Sequence, residues 1–361
     1  MPSPDQVREA RAFVEGNLLA DFPFVDDCDR AVAWAALLLP FVRPLIDGPT
    51  PLHLFTAPVA GTGKTLLALA LMTPALGKEL EPMTADCEEP EMRKRITASL
   101  RDSPTAVLLD NLGQGRRLES SSLASVLTAC SWKDRLLNAS AMASLPVRCA
   151  WLATGNNPCL SDELVRRTLR CRLDARTARP HLRPGFKHAD VLGWARDNRG
   201  ALVRAALTLV RAWLACGRPA GEVRLGMYEA WCAVVGGVLD NAGIRGLAQA
   251  VKRYQSEETD TEQALAPFLN AWWGKFQGAE VGVKDLFEVA VEVGVLEAVA
   301  DVHLTGRERQ RARGSETERG QQTRLGKALR RLDGQVYGGF EIRSAGVDRC
   351  SRQVYRLTRQ R

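Results

Sequence analysis

The sequence has only four histidines, and no two of its nine cysteines are spaced as C-x-x-C. Because zinc sites need clustered thiolates and imidazoles at short spacings, a zinc site is not expected. Several cysteines, among them Cys149 in "PVRCAWLATG", lie in apolar runs, which is the usual place for a small buried thiol. This pattern is typical of a reduced compartment and predicts a cytoplasmic protein.

Long apolar segments are also missing. No run of about 18 uncharged apolar residues occurs, so neither a membrane-spanning helix nor a membrane partner is expected. The first residues, "MPSPDQVREARAF", lack the apolar core of a signal peptide, so secretion is not expected either. With 361 residues and no internal repeat, the chain is expected to fold as two or three soluble domains.

The positive charge of the chain is concentrated at one end. The formal net charge is +7, yet residues 307–361 hold 15 Arg and Lys against 6 Asp and Glu, a surplus of +9. The other 306 residues therefore sum to −2. A local basic block of this kind predicts a polyanionic partner, and DNA is the partner that we expect.

Apolar runs alternate with helical patterns over residues 50–178. The runs "PLHLFTAP", "KELEPMTAD", "TAVLLD", "VRCAWLAT" and "TLRCRLD" have the composition of strands. Strands that alternate with helices indicate an α/β fold, with a parallel sheet covered by helices. We expect helices before this core, in residues 1–49, and a helical lid after it, in residues 179–275.

The last part of the chain, residues 276–361, combines a basic amphipathic helix with a two-stranded pattern. In "TRLGKALRRLDG", leucines form an apolar stripe and basic residues recur at spacings of three and four; "QVYGGFEIRS" and "SRQVYRLTR" have the pattern of a hairpin. A helix followed by such a wing predicts a winged-helix DNA-binding domain. A solvated basic helix is the alternative. The expected DNA contacts here are Arg324, Lys327, Arg331, Arg343, Arg352 and Arg356.

The stretch "TAPVAGTGKTLL" has the pattern of a phosphate-binding loop. Such a loop needs glycines that let the backbone curl around the phosphates, a lysine for their terminal charge and a hydroxyl for Mg²⁺. Gly61, Gly63, Lys64 and Thr65 supply these, between an apolar strand and a helix whose N-terminus faces the phosphates. Pro58 replaces the first glycine of the consensus but removes no essential donor. We expect ATP and Mg²⁺, with nucleotide contacts from Pro58, Val59, Ala60, Gly61, Thr62, Gly63, Lys64, Thr65 and Leu66.

An acidic element follows at the end of another predicted strand. "TAVLLDN" runs from apolar residues into Asp110, which we expect to hold Mg²⁺ together with the hydroxyl of the loop. Many ATPases have a catalytic glutamate at the next position, which here is Asn111, and asparagine cannot accept a proton. The acids of "ADCEEPE" are candidates for that role or form the acidic first turn of a helix. They are Asp86, Glu88 and Glu89, and the general base is left open.

Two further polar elements complete the pattern. In "WLATGNNP", Asn156 or Asn157 is expected to orient water against the γ-phosphate, although Gly-Asn-Asn-Pro also favours a turn. In "SDELVRRTLRCRLD", Arg166 and Arg167 are candidates for an arginine finger that reaches the nucleotide of a neighbouring subunit. A finger given in trans requires an oligomer. A surface ion pair is the alternative for either arginine.

With these elements in this order, residues 50–175 resemble the AAA+ ATPases, whose usual loop reads G-P-P-G-T-G-K-T against "PVAGTGKT" here. A closer resemblance covers most of the chain. The segments "LLDNLG", "WLATGNNPCLSDELVRR" and "MYEAWCAVVGGVLDNAGI" are similar to the helicase module of phage and mobile-element primase–helicase proteins. Those proteins belong with the superfamily 3 and MCM-like hexameric helicases.

This resemblance implies a homohexameric ring that hydrolyses ATP between subunits and moves DNA through a central pore, with a separate primase or polymerase as a further partner. In that family the residue after the Mg²⁺-binding aspartate is commonly asparagine, so Asn111 is compatible with activity. The resemblance also implies a pore hairpin in "WKDRLLNASAMASLPV", residues 132–147, with Lys133 and Arg135 facing DNA.

Two other functions are compatible with the sequence. An AAA+ replication initiator or helicase loader binds DNA and ATP without unwinding, and the missing glutamate and the predicted winged helix suit it. A DNA-binding regulatory module would bind the nucleotide as a structural switch without turnover. The pore hairpin and the extent of the resemblance favour the helicase.

Overall fold

The described part of the computed structural model comprises residues 1–84, 87–112, 117–135, 141–156, 158–177, 179–256, 260–300, 317–334, 336–347 and 353–359. The chain divides into two compact units, Met1–Glu257 and Glu258–Arg361. This division lies before residue 276, where the sequence predicts the start of the last domain.

A five-stranded parallel sheet forms the centre of the first unit. From one edge to the other, its strands are β2 (Pro82–Thr84), β3 (Ala106–Leu112), β7 (Ala150–Gly155), β1 (Leu52–Thr56) and β9 (Thr168–Arg172). The central strands β1 and β7 are buried throughout, as expected for a parallel sheet with both faces covered. The predicted α/β fold with a parallel sheet is confirmed.

Two small strand pairs and a set of helices complete the described part of this unit. The antiparallel pair is β5 (Ser131–Arg135) with β6 (Met142–Pro146), and the parallel pair is β4 (Arg117–Leu118) with β8 (Cys159–Leu160). None of the helices described in either unit is long and apolar enough to cross a membrane. The helices of the first unit are α1 (Pro4–Gly16), α2 (Asp27–Val42), α3 (Lys64–Leu76), α4 (Glu89–Arg101), α5 (Ser121–Leu127), α6 (Asp162–Val165), α7 (Val191–Asp197), α8 (Arg199–Ala215), α9 (Glu229–Trp231), α10 (Gly237–Asn241) and α11 (Leu247–Ser256).

The two N-terminal helices are part of the core of the first unit. Ser3 and Gln6 form a capping box at the start of α1, and the Asp26 side chain caps α2, so both helices begin where their local sequence favours it. Apolar residues of these helices, such as Val14 and Leu38, are fully buried in one cluster with residues of α3 and α8. The N-terminal segment is therefore packed into the sheet-containing unit.

The second unit has its own sheet and its own apolar core. Its strands, in spatial order, are β10 (Glu280–Gly282), β13 (Gln353–Arg359), β12 (Phe340–Val347) and β11 (Val336–Tyr337), all antiparallel. Its helices are α12 (Asp260–Phe276), α13 (Val283–Glu292), α14 (Leu296–Ala300) and α15 (Glu318–Arg331). Phe268 and Trp272 of α12 are buried in this core, which is why the unit begins before residue 276. The predicted hairpin is present as β12 and β13.

A buried histidine in the sheet predicts a pH-dependent stability. His53 lies in β1 and is completely buried, and burial lowers its pKa from 6.5 to about 4 because the charged ring loses its hydration. Between those values the unfolded chain binds a proton that the folded chain does not bind, so the folded state loses stability as the pH falls. We expect a loss of about 3 kcal/mol in the free energy of unfolding between pH 6.5 and 4 from this residue.

Urea titrations at several pH values, followed by tryptophan fluorescence, measure this loss for the first unit. The variant His53→Leu has no ring to protonate. Between pH 6.5 and 4, its free energy of unfolding should therefore fall by about 3 kcal/mol less than that of the wild type. Equal pH dependences in the two proteins would contradict the assignment of this loss to His53.

Candidate nucleotide-binding site

The loop between β1 and α3 curls into the N-terminus of α3. Gly61 and Gly63 have positive φ angles of 80° and 98°, a left-handed backbone that residues with a Cβ rarely adopt. Within this turn, the Thr62 hydroxyl donates a hydrogen bond to the Val59 carbonyl oxygen at 2.6 Å. Pro58 is exposed at the start of the loop. The two glycines thus occupy positions at which the backbone conformation requires them.

Lys64 and Thr65 form the first turn of α3, directly after this loop. The Lys64 ammonium group donates to Asn156 Oδ1 at 2.5 Å. The Thr65 hydroxyl donates to Asp110 Oδ1 at 2.8 Å. Side chains predicted to bind phosphate, to bind Mg²⁺ and to orient water therefore meet from α3, from β3 and from the end of β7. Asn157, the other predicted water-orienting residue, lies outside the described residues.

A β-bulge directs Asp110 toward this site. The register of β3 on β7 shifts between Leu109 and Leu112, so that Asp110 and Asn111 both lie opposite Thr154. Bulges of this type redirect a side chain at the end of a strand. Asn111 has a φ of 58°, and asparagine tolerates this left-handed region better than most residues. Asparagine at this position therefore suits the backbone of the bulge.

Thr154, which is not among the residues predicted from the sequence, completes the contacts of Asp110. Its hydroxyl donates to Asp110 Oδ1 at 2.6 Å and accepts from the Asn111 backbone N–H at 3.1 Å. The residue is only 1% exposed. The available signal was a threonine near the end of an otherwise apolar strand, because a buried hydroxyl needs a hydrogen-bond partner.

The polar groups of this site suit a triphosphate with Mg²⁺. Burial lowers the pKa of Lys64, and the Asp110 carboxylate opposes this shift without cancelling it. Because Lys64 is only 9% exposed, little water competes with an anion for its charge. The Thr65 hydroxyl and the Asp110 carboxylate are hard oxygen donors, the type that Mg²⁺ prefers, and they lie within hydrogen-bond distance of each other.

The acidic residues at the start of α4 include one with a structural role. Glu89 Oε1 accepts from the Ser121 hydroxyl at 2.9 Å and from the Ser122 backbone N–H at 2.7 Å, so it caps α5. Burial raises the pKa of Glu89, but hydrogen bonds from Ser122 and its neighbours outweigh burial and lower it. A carboxylate held in this way is a poor general base. Glu88 is the exposed N-cap residue of α4, and Asp86 lies outside the described residues.

The two candidate finger arginines have different surroundings. Arg167 donates to the Glu163 carbonyl oxygen at 2.5 Å and lies 3.3 Å from the Glu163 carboxylate, with its side chain 14% exposed. Arg166 is exposed. The guanidinium of Arg167 is therefore engaged within its own chain, whereas Arg166 is accessible to another molecule.

The segment predicted as a pore hairpin contains the antiparallel pair β5 and β6. Along β5, Lys133 and Arg135 are exposed, and they alternate with the buried residues Trp132 and Asp134. Residues 136–140, between the strands, lie outside the described part of the chain. Both predicted DNA-facing side chains therefore lie on the outer face of the hairpin.

The predicted basic face of the second unit is only partly exposed. Arg324 forms an ion pair with Glu297 at 2.6 Å, and its side chain is 12% exposed. It does not lie on the outward surface because its part of α15 packs near α14, which carries Glu297. Lys327 is exposed. Arg331 is the last residue of α15, and Arg352 lies outside the described residues.

The exposed side of α15 carries Arg319, Lys327 and Arg330. This side is opposite the buried leucines of the helix, which include Leu325 and Leu329. Arg319 and Arg330 were not among the predicted DNA contacts, although the leucine stripe already indicates which side of the helix is buried.

Two predicted DNA contacts on the sheet of the second unit are charge-balanced. Arg343 and Arg356 are partners across β12 and β13. Arg343 pairs with Glu341 at 2.7 Å, and Arg356 pairs with Glu280 at 2.7 Å. Like charges directly opposite each other destabilise a sheet, and the two carboxylates offset that repulsion. These four side chains therefore do not form a basic surface.

A pocket of about 290 Å³ lies beside the phosphate-binding loop. The loop glycines form one side, and apolar side chains from three other segments form much of the remainder. One of them, Leu66, was predicted as a nucleotide contact and is 41% exposed. An apolar pocket with a few polar groups is the usual environment of an aromatic ligand group. The apolar lining residues are Phe22, Pro23, Leu66, Ala175, Pro180, Phe186, Ala189 and Val191.

Comparisons with known proteins find similarity to solved structures. No protein-family model matches the sequence, and no curated protein matches it. The solved C-terminal region of NrS-1 is similar to this chain, with 10% identity and a TM-score of 0.42, over 93% of this chain and 76% of that chain. JCV helicase is similar with 17% identity and a TM-score of 0.27, over 76% and 73% of the two chains. Similarities this distant assign neither a family nor an activity to this chain.

Proposed function

We propose that this protein is an ATP-driven DNA helicase that acts as a hexameric ring in the replication of a mobile element or phage. The observation that carries the proposal is the convergence of Lys64, Thr65, Asp110 and Asn156 beside the phosphate-binding loop. Together they supply the cation, hydroxyl, carboxylate and amide that phosphoryl transfer from ATP to water uses.

Each of these side chains has a separate task. Lys64 binds the terminal phosphates, and Thr65 and Asp110 would hold Mg²⁺, which supplies charge neutralisation between the phosphates. Thr154 keeps the Asp110 carboxylate oriented through its hydrogen bond at 2.6 Å. Asn156 orients the attacking water, and its oxygen already lies next to the Lys64 ammonium group. The nucleobase occupies the apolar pocket beside the loop, which includes Phe22 and Leu66.

DNA is bound by two basic surfaces in this proposal. Lys133 and Arg135 of the β5–β6 hairpin line the pore of the ring. The exposed side of α15, with Arg319, Lys327 and Arg330, forms the second surface. The succession of α15 and the β12–β13 hairpin supports a winged-helix domain, and α7 to α11 form the helical lid. Side chains of this kind neutralise phosphates and give binding that weakens with salt.

An unwinding assay on forked DNA with ATP and Mg²⁺ tests this function. The helicase proposal requires strand separation that depends on ATP hydrolysis. DNA-stimulated hydrolysis without strand separation would instead support an initiator or loader, which the exposed basic side of α15 also suits. Nucleotide binding without any hydrolysis would support the regulatory module and would overturn the helicase proposal.

The ring itself can be tested through Arg166. Arg166→Ala and Lys64→Ala proteins are each expected to be inactive, but a one-to-one mixture should recover about a quarter of the wild-type turnover. In a mixed ring, an intact loop from one variant meets an intact arginine from the other at about one interface in four. Steady-state ATP hydrolysis in the presence of DNA measures this recovery.

The matched control is a mixture of Arg166→Ala with the double variant Lys64→Ala/Arg166→Ala. No interface in that mixture contains both intact residues, so it should stay inactive. Inactivity of both mixtures would show that Arg166 does not act across an interface.

A further inference from the structure

The β5–β6 hairpin has an inward face that carries a buried carboxylate. Successive residues of a strand point to opposite sides, and here Trp132 and Asp134 are 9% and 8% exposed, respectively. Lys133 and Arg135 occupy the opposite, exposed side. A carboxylate on the inward side of a short hairpin needs hydrogen-bond donors, because an ionised group buried without them is costly.

Helix α4 supplies the side-chain donors. The Arg93 guanidinium donates to Asp134 Oδ1 through Nε at 3.1 Å and through Nη2 at 2.9 Å. The Thr97 hydroxyl donates to Asp134 Oδ2 at 2.6 Å, and the Arg135 backbone N–H donates to Oδ1 at 2.8 Å. Arg93 and Thr97 are four residues apart and therefore lie on the same side of α4. The Trp132 indole N–H also donates to the Thr97 hydroxyl, at 2.9 Å.

The same helix is attached to the nucleotide-binding edge of the sheet. The Arg95 guanidinium of α4 donates to the Thr84 carbonyl oxygen at 2.5 Å. Thr84 ends β2 and is the register partner of Asp110 on β3. Apolar residues of α4 and of the hairpin, such as Ile96 and Trp132, share one buried cluster with residues of β3. Helix α4 thus contacts both the hairpin and the strand beside the Mg²⁺-binding aspartate.

We propose that Asp134 is a positioning residue that holds the β5–β6 hairpin on α4. Through this contact, the exposed Lys133 and Arg135 move together with the nucleotide-binding edge of the sheet. The inference rests on the proposed helicase function. Asp134 touches neither nucleotide nor DNA in this arrangement. It acts through Arg93 and Thr97. Loss of the Asp134 carboxylate should therefore leave basal ATP hydrolysis in place but weaken the coupling of hydrolysis to DNA.

The test is Asp134→Asn, which keeps the size of the side chain but replaces one acceptor oxygen with an NH₂ donor that faces Arg93 or Thr97. Basal ATP hydrolysis without DNA and the KM for ATP should stay within about twofold of the wild-type values. Stimulation of hydrolysis by DNA and the rate of unwinding should each fall by about tenfold. Arg93→Gln, which changes the α4 side of the same contact, should likewise lower DNA stimulation and unwinding while basal hydrolysis is kept. The double variant should add little to either single variant because the two residues form one contact.

Lys94→Gln is the matched control, because Lys94 is an exposed neighbour on α4 whose ion-pair partner is Glu91. It should leave both basal and DNA-stimulated hydrolysis unchanged. Circular dichroism and thermal melting identify variants that fail to fold. A parallel loss of basal and DNA-stimulated hydrolysis in a folded Asp134→Asn protein would reduce Asp134 to a general structural role and overturn the proposal. Full retention of DNA stimulation and unwinding would overturn it as well.

Hydrogen exchange separates failure of this inference from failure of the proposed function. In Asp134→Asn, amides of β5 and β6 should exchange about tenfold faster, while those of β1 and β3 keep their wild-type rates. Unchanged exchange in the hairpin would refute the anchoring role whatever the activity. Faster exchange in the hairpin, found together with a wild-type protein that does not unwind DNA, would leave the anchor in place and refute the helicase function on which the coupling depends.

Discussion

Lys64→Ala is expected to lower the kcat of ATP hydrolysis by about 100-fold or more and to abolish unwinding. Lys64 lies in the first turn of α3 and is only 9% exposed, so solvent does not supply an equivalent fixed positive charge when the side chain is removed. Negative charge on the terminal phosphates then has no fixed cation to balance it as the phosphoryl group transfers. Asn156 Oδ1, which accepts a hydrogen bond from the Lys64 ammonium group at 2.5 Å, also loses this donor. Steady-state hydrolysis assays and fork unwinding measure the two effects.

The control for this prediction is Lys78→Ala. Lys78 follows the same helix, at its other end, and is exposed, so its removal should change kcat by no more than about twofold. Hydrolysis by Lys64→Ala within about tenfold of the wild-type rate would contradict the role given to Lys64.

Asp110→Asn is expected to lower kcat by about 100-fold or more at saturating ATP and Mg²⁺, while nucleotide binding without Mg²⁺ stays within a few-fold of wild type. The amide oxygen of asparagine can still accept the hydrogen bonds that Thr65 and Thr154 donate at 2.8 and 2.6 Å. The fold of the bulge should therefore survive. The negative charge that attracts Mg²⁺ is lost, and with it the stabilisation that depends on the metal. A fluorescent ATP analogue, titrated with and without Mg²⁺, separates the two effects.

Three companion variants make this prediction specific. Asp102→Asn changes an exposed aspartate at the end of α4 and should leave kcat unchanged. Thr154→Val removes the hydroxyl between Asp110 and the Asn111 backbone and should lower kcat by less than Asp110→Asn does. Thr154→Ser keeps the hydroxyl and should lower kcat less than Thr154→Val. A Mg²⁺ dependence in Asp110→Asn equal to that of the wild type would show that the carboxylate is not a metal ligand.

The strands and the glycine-rich loop before α3 could be predicted because their signals are local. An apolar run before glycines, a lysine and a helical pattern specifies strand, loop and helix over about a dozen residues. The positive φ angles of Gly61 and Gly63 agree with the residue types at those positions. The convergence of Lys64 and Asp110 could also be expected, since the carboxyl ends of parallel strands lie along one edge of a sheet.

The contacts that orient these groups could not be predicted in the same way. Thr154 meets Asp110 because the register of β3 shifts on β7, and a register shift depends on pairing between strands that are far apart in sequence. The ion pair of Arg324 with Glu297 likewise depends on contact between two segments that are far apart in sequence. The helical period shows that one side of α15 is apolar, but it does not show which basic side chains meet an acid on a neighbouring helix.

The order and residue types of the chain alone determined the parallel α/β unit, the glycines of the loop and the identity of the side chains proposed to bind phosphate and Mg²⁺. Each of these features depends on backbone propensity or on spacing within one segment. The tertiary structure decided which charges are available. It paired Arg324 with Glu297 on a neighbouring helix, and it turned Asp134 toward Arg93 on α4. Charge availability depends on partners brought together only when separate segments pack, and no local pattern records those partners.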